Sequence, residues 1–180
     1  MPSQDNNLTH WVSTTRQDHL IAWLAALAIA IHVIESALPS PIPGVKLGLA
    51  NVITVAVLIR YGWQTAAWVA LLRVLIGSLI IGSFLSPTFL LSFSGALSSI
   101  IVLGLASLIP GRLFGPVGYS LLASMTHVGT QFYVAYLFFI PHQGLFHLLP
   151  VIMTAAVIFG ITSGIIVHAM TNKLDRHSSP

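Results

Sequence analysis

Four ionisable side chains lie inside long apolar stretches of this sequence, where a charge is costly and marks a candidate functional site. Glu35 follows His32 by three residues, so the two share one face of a helix. Arg73 and His127 each lie near the middle of a later apolar stretch. At about 1.5 Å per residue, Glu35 lies about 9 Å beyond Arg73 along the membrane normal, within combined reach of the two side chains. The pair is either a structural ion pair or part of a ligand site.

Polar side chains on two further stretches repeat at helical spacing and would line the same site. One stripe consists of Ser120, Ser124, His127 and Gln131, and the other of Thr88, Ser92, Gly95 and Ser99, with Ser94 and Ser98 beside it. A single serine can bond its own helix, so only the grouping is informative. Most of these residues fall in the outer half of the membrane, with Arg73 and His127 as the floor. The pattern predicts a polar pocket that opens outward, not a pore.

The chemistry expected of this set is binding, not catalysis. The acidic residues are Asp5, Asp18, Glu35 and Asp175, and no two lie within five residues of each other. A magnesium–diphosphate enzyme needs clustered carboxylates, and ATP hydrolysis needs a phosphate loop of the type G-x-x-x-x-G-K-[ST], which the sequence lacks. Without cysteine there is no thiolate site, and no basic cluster suits nucleic acid. We expect no enzyme activity, no cofactor, no metal and no nucleic-acid partner.

Composition places these residues in a membrane protein. Of 180 residues, 56% are hydrophobic and 6% are charged, whereas soluble domains carry about a quarter charged residues. The second apolar stretch is short, so it is either tilted or begins within the loop before it. We predict an all-α bundle of six transmembrane helices over residues 20–170, between polar cytoplasmic tails at 1–19 and 171–180. The predicted spans are 20–38, 47–60, 64–81, 88–109, 117–140 and 145–170.

The basic residues orient the bundle. With both termini inside, the cytoplasmic side collects five cations and the outer side only Lys46. The five are Arg16, Arg60, Arg112, Lys173 and Arg176. The bias predicts an N-in, C-in protein of the bacterial cytoplasmic (inner) membrane, in contact with membrane lipid.

Two stripes of small residues would let helix backbones approach each other closely. The first helix carries Ala22, Ala26 and Ala30, and the sixth carries Ala156, Gly160 and Gly164, each spaced by four. For the sixth helix we favour packing inside the bundle. For the first, packing inside the bundle and docking on a partner subunit both remain open.

One segment resembles a known family. The run IPGVKLGLAN at 42–51, preceded by Glu35-Ser36 and followed by LRVLIGS at 72–78, is similar to the Gx transporter family, also called heptaprenyl diphosphate synthase component I. The similarity extends over about residues 20–170. That family is in turn similar to the substrate-binding S components of energy-coupling factor (ECF) transporters.

The resemblance implies a six-helix subunit with an outward-facing vitamin pocket and an A-x-x-x-A helix that docks on a transmembrane coupling subunit, with separate ATPases. Ala22, Ala26 and Ala30 match that helix in position and type, and 39–46 corresponds to the loop that gates substrate. We expect the substrate-binding residues to be Glu35, Lys46, Asn51, Arg73, Ser94, His127 and Gln131.

Three functions stay open at this point. The first is substrate capture for uptake of a small vitamin-like or cofactor-precursor molecule. The second is a non-catalytic membrane subunit of prenyl diphosphate or quinone biosynthesis, and the third is a purely structural role. A cation at the mouth, Lys46, and one at the floor, Arg73, favour an anionic or carbonyl group on the substrate. Stacking partners for a ring would come from Phe93, Phe132, Tyr133 or Tyr136.

Overall fold

The computed structural model describes residues 16–36, 51–109 and 114–177, with side chains from Asp18 to Lys173 within those ranges. All regular structure in the described ranges is helical. The helices are α1 (Arg16–Ser36), α2 (Asn51–Tyr61), α3 (Trp63–Ile81), α4 (Pro87–Ser107), α5 (Pro116–Phe138) and α6 (Leu149–His177), with a 3₁₀ turn (Gln143–Leu148) before α6.

Local sequence sets where these helices begin and end. Pro87 and Pro116 occupy the first turns of α4 and α5, where a missing N–H costs nothing. The Ser86 hydroxyl accepts a hydrogen bond from the Phe89 backbone N–H at 3.3 Å and caps α4. Gly62 and Gly82 adopt positive φ angles of 86° and 74°, so they form the turn between α2 and α3 and the end of α3.

The short helix α2 lies at the centre of the bundle. Helices α1, α3, α4, α5 and α6 pack in series, each against the next, and α2 contacts α1, α3, α5 and α6. Its buried residues are Asn51, Val52, Ile53, Thr54, Val55, Val57 and Leu58. They join apolar residues of the surrounding helices in one core cluster. A helix buried on nearly every side must be largely apolar, and α2 is, apart from Asn51, Thr54 and the exposed residues Arg60 and Tyr61 at its end.

The described helices fit an integral membrane protein, although the six predicted spans are not equivalent. Within the described ranges, four segments are long and apolar enough to cross a bilayer: Asp18–Ser36, Trp63–Ile81, Pro87–Ser107 and Gln143–Lys173. The described part of α2 has 11 residues and covers about 16 Å of the roughly 30 Å of hydrocarbon, and the residues before Asn51 lie outside the described ranges. Helix α5 is long enough at 23 residues but carries the polar stripe. Apolar side chains such as Trp23, Leu105 and Ile165 are exposed on the outer surface.

The two stripes of small residues have different surroundings. On α6 the stripe packs against α5: the Ser124 hydroxyl donates to the Ala156 carbonyl at 2.8 Å, and a Cβ atom on Gly160 would lie 3.0 Å from the Leu121 Cα. This confirms the predicted packing role of the α6 stripe. On α1, the three alanines Ala22, Ala26 and Ala30 are all exposed.

The ends of the outer helices differ from the prediction. Helix α1 begins at Arg16, inside the segment predicted as a polar tail, and α6 continues to His177, seven residues beyond the predicted boundary. The predicted start of the second span, at residue 47, lies outside the described residues, and α2 is described from Asn51. Apolar runs mark where lipid surrounds a helix, and a helix continues into water when polar helix formers follow. This explains why α1 and α6 are longer than their apolar runs.

Candidate functional site

The α2–α3 hairpin brings Asn51 and Arg73 together. Each lies eleven residues from Gly62, one before it and one after it, so both are about 16 Å from the turn, near the middle of a bilayer. The Arg73 Nη2 donates a hydrogen bond to the Asn51 Oδ1 at 3.3 Å. Both side chains are buried, Asn51 at 4% and Arg73 at 2% exposure. The pair forms the floor of the candidate site.

Helix α1 adds a negative charge beside this pair. Glu35 is buried, and its carboxylate interacts electrostatically with the Arg73 guanidinium. The helices approach closely because Gly77 of α3 lies against His32: a Cβ atom there would be 2.7 Å from the His32 Cδ2. Glu35 follows His32 by almost one turn. Three predicted site residues, Glu35, Asn51 and Arg73, therefore share one polar centre formed by α1, α2 and α3.

Two donors in this centre have no acceptor among the described residues: the Asn51 Nδ2 and the Arg73 Nε. The bond from Arg73 places the amide oxygen of Asn51 towards the guanidinium, so the amide nitrogen lies on the other side. Buried polar groups nearly always have a hydrogen-bond partner, and an exception calls for an explanation. A ligand with acceptor oxygens would satisfy both groups.

The polar stripe of α5 faces α4 and α6. Gln131 and His127 are joined through their Nε2 atoms at 3.0 Å, and both lie over Gly95 of α4. A Cβ atom at Gly95 would be 2.9 Å from the His127 Nδ1. The Ser99 hydroxyl donates to the Ala123 carbonyl at 3.0 Å and so ties α4 to α5. Part of this stripe thus holds helices together, while His127 and Gln131 lie buried between α4 and α5.

Ser94 lies off the face that α4 presents to α5. Its hydroxyl donates to the Leu91 carbonyl of its own helix at 2.9 Å, and its side chain is only half-buried. Ser92 and Ser99 are the buried serines of α4, and the Ser92 hydroxyl has no hydrogen-bond partner among the described residues. Thr54, which was not predicted as a site residue, is buried three residues after Asn51, and its hydroxyl also has no hydrogen-bond partner among the described residues. The i, i+3 spacing of Asn51 and Thr54, which puts both side chains on one helix face, could have identified Thr54 from the sequence.

The predicted aromatic partners lie in three different environments. Phe132 is buried and meets Phe146 edge-on, with ring centroids 5.6 Å apart, and Tyr136 meets the same ring at 4.9 Å. Phe93 stacks on its neighbour Phe89 at 5.7 Å. Tyr133 is 62% exposed and lies on the outer surface. This corrects the expectation for Tyr133, because a neighbour of Phe132 along a helix points about 100° away from it.

Lys46 and the loop 39–46 lie outside the described residues. Two open clefts lie at the other end of the bundle, around the Gly62 turn. One, of about 500 Å³, lies beside Asp18 and Trp68, and the other, of about 650 Å³, lies between Trp63 and Tyr119. No predicted substrate-binding residue lines either cleft. Within the described ranges, no three His, Asp or Glu side chains are grouped as a metal site requires.

A family described as Heptaprenyl diphosphate synthase component I matches residues 24–170, which is most of the chain. The match contains α2, α3, α4 and α5 whole, together with every predicted substrate-binding residue. Comparison with curated proteins gave no match, and comparison with solved structures gave none either.

Proposed function

The chain belongs to the heptaprenyl diphosphate synthase component I family, and on that premise we propose that it is a non-catalytic, substrate-binding membrane subunit. In this proposal it captures a small vitamin-like or cofactor-precursor molecule for uptake across the bacterial cytoplasmic membrane. Separate coupling and ATPase subunits supply the energy, and both termini are cytoplasmic. Expected substrate contacts come from Glu35, Asn51 and Arg73, with His127 and Gln131 beside them.

The polar centre of Asn51, Arg73 and Glu35 carries this proposal. Replacing a buried ion pair by packed apolar residues is often neutral or stabilising, so an ion pair is a poor device for stability alone. Here the centre also contains two buried donors, the Asn51 Nδ2 and the Arg73 Nε, without an acceptor among the described residues. A purely structural network would satisfy its own donors. Ligand binding accounts for both observations.

The exposed face of α1 supports the partner part of the proposal. Ala22, Ala26 and Ala30 are exposed at four-residue spacing, while Ala25 and Ala28 of the same helix are buried in the bundle. Between membrane helices, association depends on close backbone approach, which small residues allow. We assign this alanine face to docking on a coupling subunit. It lies away from the polar centre, so docking and substrate binding can occur together.

A second candidate function rests on the name of the family. It is that of a non-catalytic component of heptaprenyl diphosphate synthase, working with a partner component. In that case the partner would supply the clustered carboxylates that hold a magnesium–diphosphate substrate, since this sequence has four acidic residues, all well separated. The buried polar centre would then bind an isoprenoid or quinone precursor instead of a transported vitamin.

The test is to identify the small molecule that co-purifies with the detergent-solubilised protein. We expect mass spectrometry to find one polar, cofactor-related compound with the wild type and with Arg60→Ala, a control at an exposed arginine of α2. Arg73→Ala should lose the compound. Recovery of an isoprenoid or quinone precursor in its place would favour the second candidate. Recovery of the same compound with Arg73→Ala would contradict the assigned site.

A further inference from the structure

Ser92 of α4 lies at about the same depth in the bundle as Arg73 of α3. The Trp63 Nε1 donates a hydrogen bond to the Ile100 carbonyl at 2.9 Å, and this contact fixes the register of the two helices. Arg73 is ten residues after Trp63, and Ser92 is eight residues before Ile100. Because consecutive α3 and α4 run in opposite directions, both residues lie on the same side of the contact, about 15 Å and 12 Å away. The two buried side chains therefore belong to one layer of the bundle.

The Ser92 side chain points towards the centre of the bundle. At 3.6 residues per turn, it is rotated by about 60° from Gly95, and by about 120° in the opposite sense from Gly104. Gly95 faces His127 of α5, and Gly104 faces Trp63 of α3. Ser92 thus lies between these two sides of α4, on the side of the central helix α2. Among the described α-helices, α4 is the one against which α2 packs least closely, so mainly side chains lie between α2 and α4.

Four buried polar atoms of this layer have no hydrogen-bond partner among the described residues. They are the hydroxyls of Ser92 and Thr54, the Arg73 Nε and the Asn51 Nδ2. Thr54 shares a face of α2 with Asn51, and it is eight residues from Gly62, so its depth of about 12 Å matches that of Ser92. A buried polar group without a partner costs free energy. Hydrogen bonds to a ligand would offset this cost at both helices.

The charges of the described groups favour an uncharged ligand. The positive guanidinium of Arg73 interacts with the negative carboxylate of Glu35, and the other three residues of the layer are uncharged. An ionic ligand would add a net charge to a low-dielectric interior, where an isolated charge is costly. The Arg73 Nε and the Asn51 Nδ2 can only donate, whereas the two hydroxyls can donate or accept. A carboxamide, which combines a carbonyl oxygen with N–H groups and has no charge, suits all four atoms.

We propose that Ser92 and Thr54 complete, with Asn51 and Arg73, a binding site between α2 and α4 for an uncharged ligand that carries a carboxamide group. The proposal rests on the proposed function, because it names the chemistry by which the captured substrate is held. All four polar atoms are buried, so a ligand reaches them only when the surrounding helices move apart. Removal of either unpartnered hydroxyl should therefore stabilise the closed bundle and, at the same time, weaken ligand binding.

The test is thermal unfolding of the full chain in detergent, at neutral pH and constant ionic strength, with three ligands of the same shape. Benzamide is uncharged under these conditions, benzoate is an anion and benzamidine is a cation. The decisive variants are Ser92→Ala and Thr54→Val, each of which removes a hydroxyl with little change in volume. Ser107→Ala is the matched control, because Ser107 is exposed at the other end of α4 and its hydroxyl donates to its own helix.

We expect benzamide to raise the unfolding midpoint of the wild type and of Ser107→Ala, with saturation, and the two ions to shift it less. Ser92→Ala should have a higher midpoint than the wild type before any ligand is added. It should also bind benzamide about three- to tenfold more weakly, as the loss of one hydrogen bond predicts. The same two changes are expected of Thr54→Val.

Three results would refute the site. They are a larger response to benzoate or benzamidine than to benzamide, a wild type with no saturable response to benzamide, and unchanged benzamide affinity in Ser92→Ala. A lower midpoint of Ser92→Ala without ligand would identify a structural hydroxyl and would also contradict the proposal. Failure to recover coupling or ATPase proteins with the chain would count against the proposed function but leave these results unaffected.

Discussion

The two stripes of small residues, on α1 and α6, have the same sequence pattern but different environments. On α6, Gly160 and Gly164 lie against backbone atoms of Leu121 and Val117 on α5. On α1, the alanines at 22, 26 and 30 face outward, and no described helix covers them. A neighbouring helix of the same chain therefore already approaches the α6 stripe closely, whereas no described part of the chain covers the α1 stripe.

The difference shows how such patterns should be interpreted. Small residues at four-residue spacing indicate that a backbone can come close, but not whether that backbone belongs to the same chain. The neighbouring residues decide this question. On α1, a different face of the helix from the stripe, the one that carries Ala25 and Ala28, is already buried against the bundle. The exposed stripe is thus a second, additional face, as expected of a helix between its own bundle and a partner.

A large loss of folding stability is expected from adding one methyl group to the α6 stripe. In Gly164→Ala the new Cβ atom would collide with the Cα of Val117, and a backbone cannot move aside as a flexible side chain can. Overpacking of this kind costs about 1–3 kcal/mol or more. We expect a marked loss of folded protein, measured by thermal unfolding in detergent.

The matched control is Gly129→Ala on α5, because a Cβ atom there meets nothing within 4 Å. The same substitution should be neutral or stabilise the helix by up to about 1 kcal/mol. If both alanine variants were equally stable, the close contact between α5 and α6 would not be the reason for the glycines on α6.

The next effect concerns the polar centre. Arg73→Ala should abolish substrate binding, since a buried charge and its hydrogen bonds to partner groups are lost, at a cost of about 3–5 kcal/mol. Gln131→Ala should weaken binding as well, because Gln131 is fully buried and fixes the His127 ring. Equilibrium binding of the co-purified compound is the measurement. Unfolding of Arg73→Ala that is rescued by Glu35→Ala would instead identify a structural ion pair.

The predicted orientation, with both termini cytoplasmic, can be tested at two exposed positions at opposite ends of the bundle, Gln143 and Arg60. A cysteine at either position should leave the fold unchanged, since exposed substitutions generally alter stability by less than about 0.5 kcal/mol. In intact cells, an impermeant thiol reagent should label the cysteine at 143 and not the one at 60. The reverse pattern would invert the bundle and place the polar centre on the cytoplasmic side.

The smallest effect on stability is expected on α1. Ala26→Trp adds bulk at an exposed position and should leave the unfolding midpoint within about 0.5 kcal/mol of the wild type. Ala28→Trp places the same ring two residues further along, where the alanine is 0% exposed, and should disrupt the bundle. A large loss of stability in Ala26→Trp would mean that the stripe packs inside the protein.

Much of the fold could be predicted from hydrophobic runs and their breakers. The structure places α3 at 63–81, α4 at 87–107 and α5 at 116–138, each within two residues of prediction at both ends. Proline and glycine at the joints explain this accuracy. The role of α2 could not be predicted, because an apolar run does not reveal whether lipid or protein surrounds the helix, and only tertiary packing shows that α2 lies at the centre.

The candidate site was only partly predictable. The pairing of Asn51 with Arg73 follows from their equal distances from Gly62, once a helical hairpin is assumed. Ser94 shows where prediction from the sequence fails. It is only one residue from Gly95, but its side chain lies off the helix face that packs on α5. Its hydroxyl donates a hydrogen bond to its own helix instead. Which of several adjacent serines faces the core depends on helix rotation, and this is set by neighbouring helices that a single sequence does not display.

The most direct test of the central claim is a pull-down from native membranes with wild-type, Ala26→Trp and Gly129→Ala proteins as bait. The claim is that the exposed alanine face of α1 docks on a coupling subunit. We predict that coupling and ATPase proteins are recovered with the wild type and with Gly129→Ala but not with Ala26→Trp, while all three proteins bind substrate equally. Equal recovery with Ala26→Trp, or no such proteins with the wild type, would contradict the account.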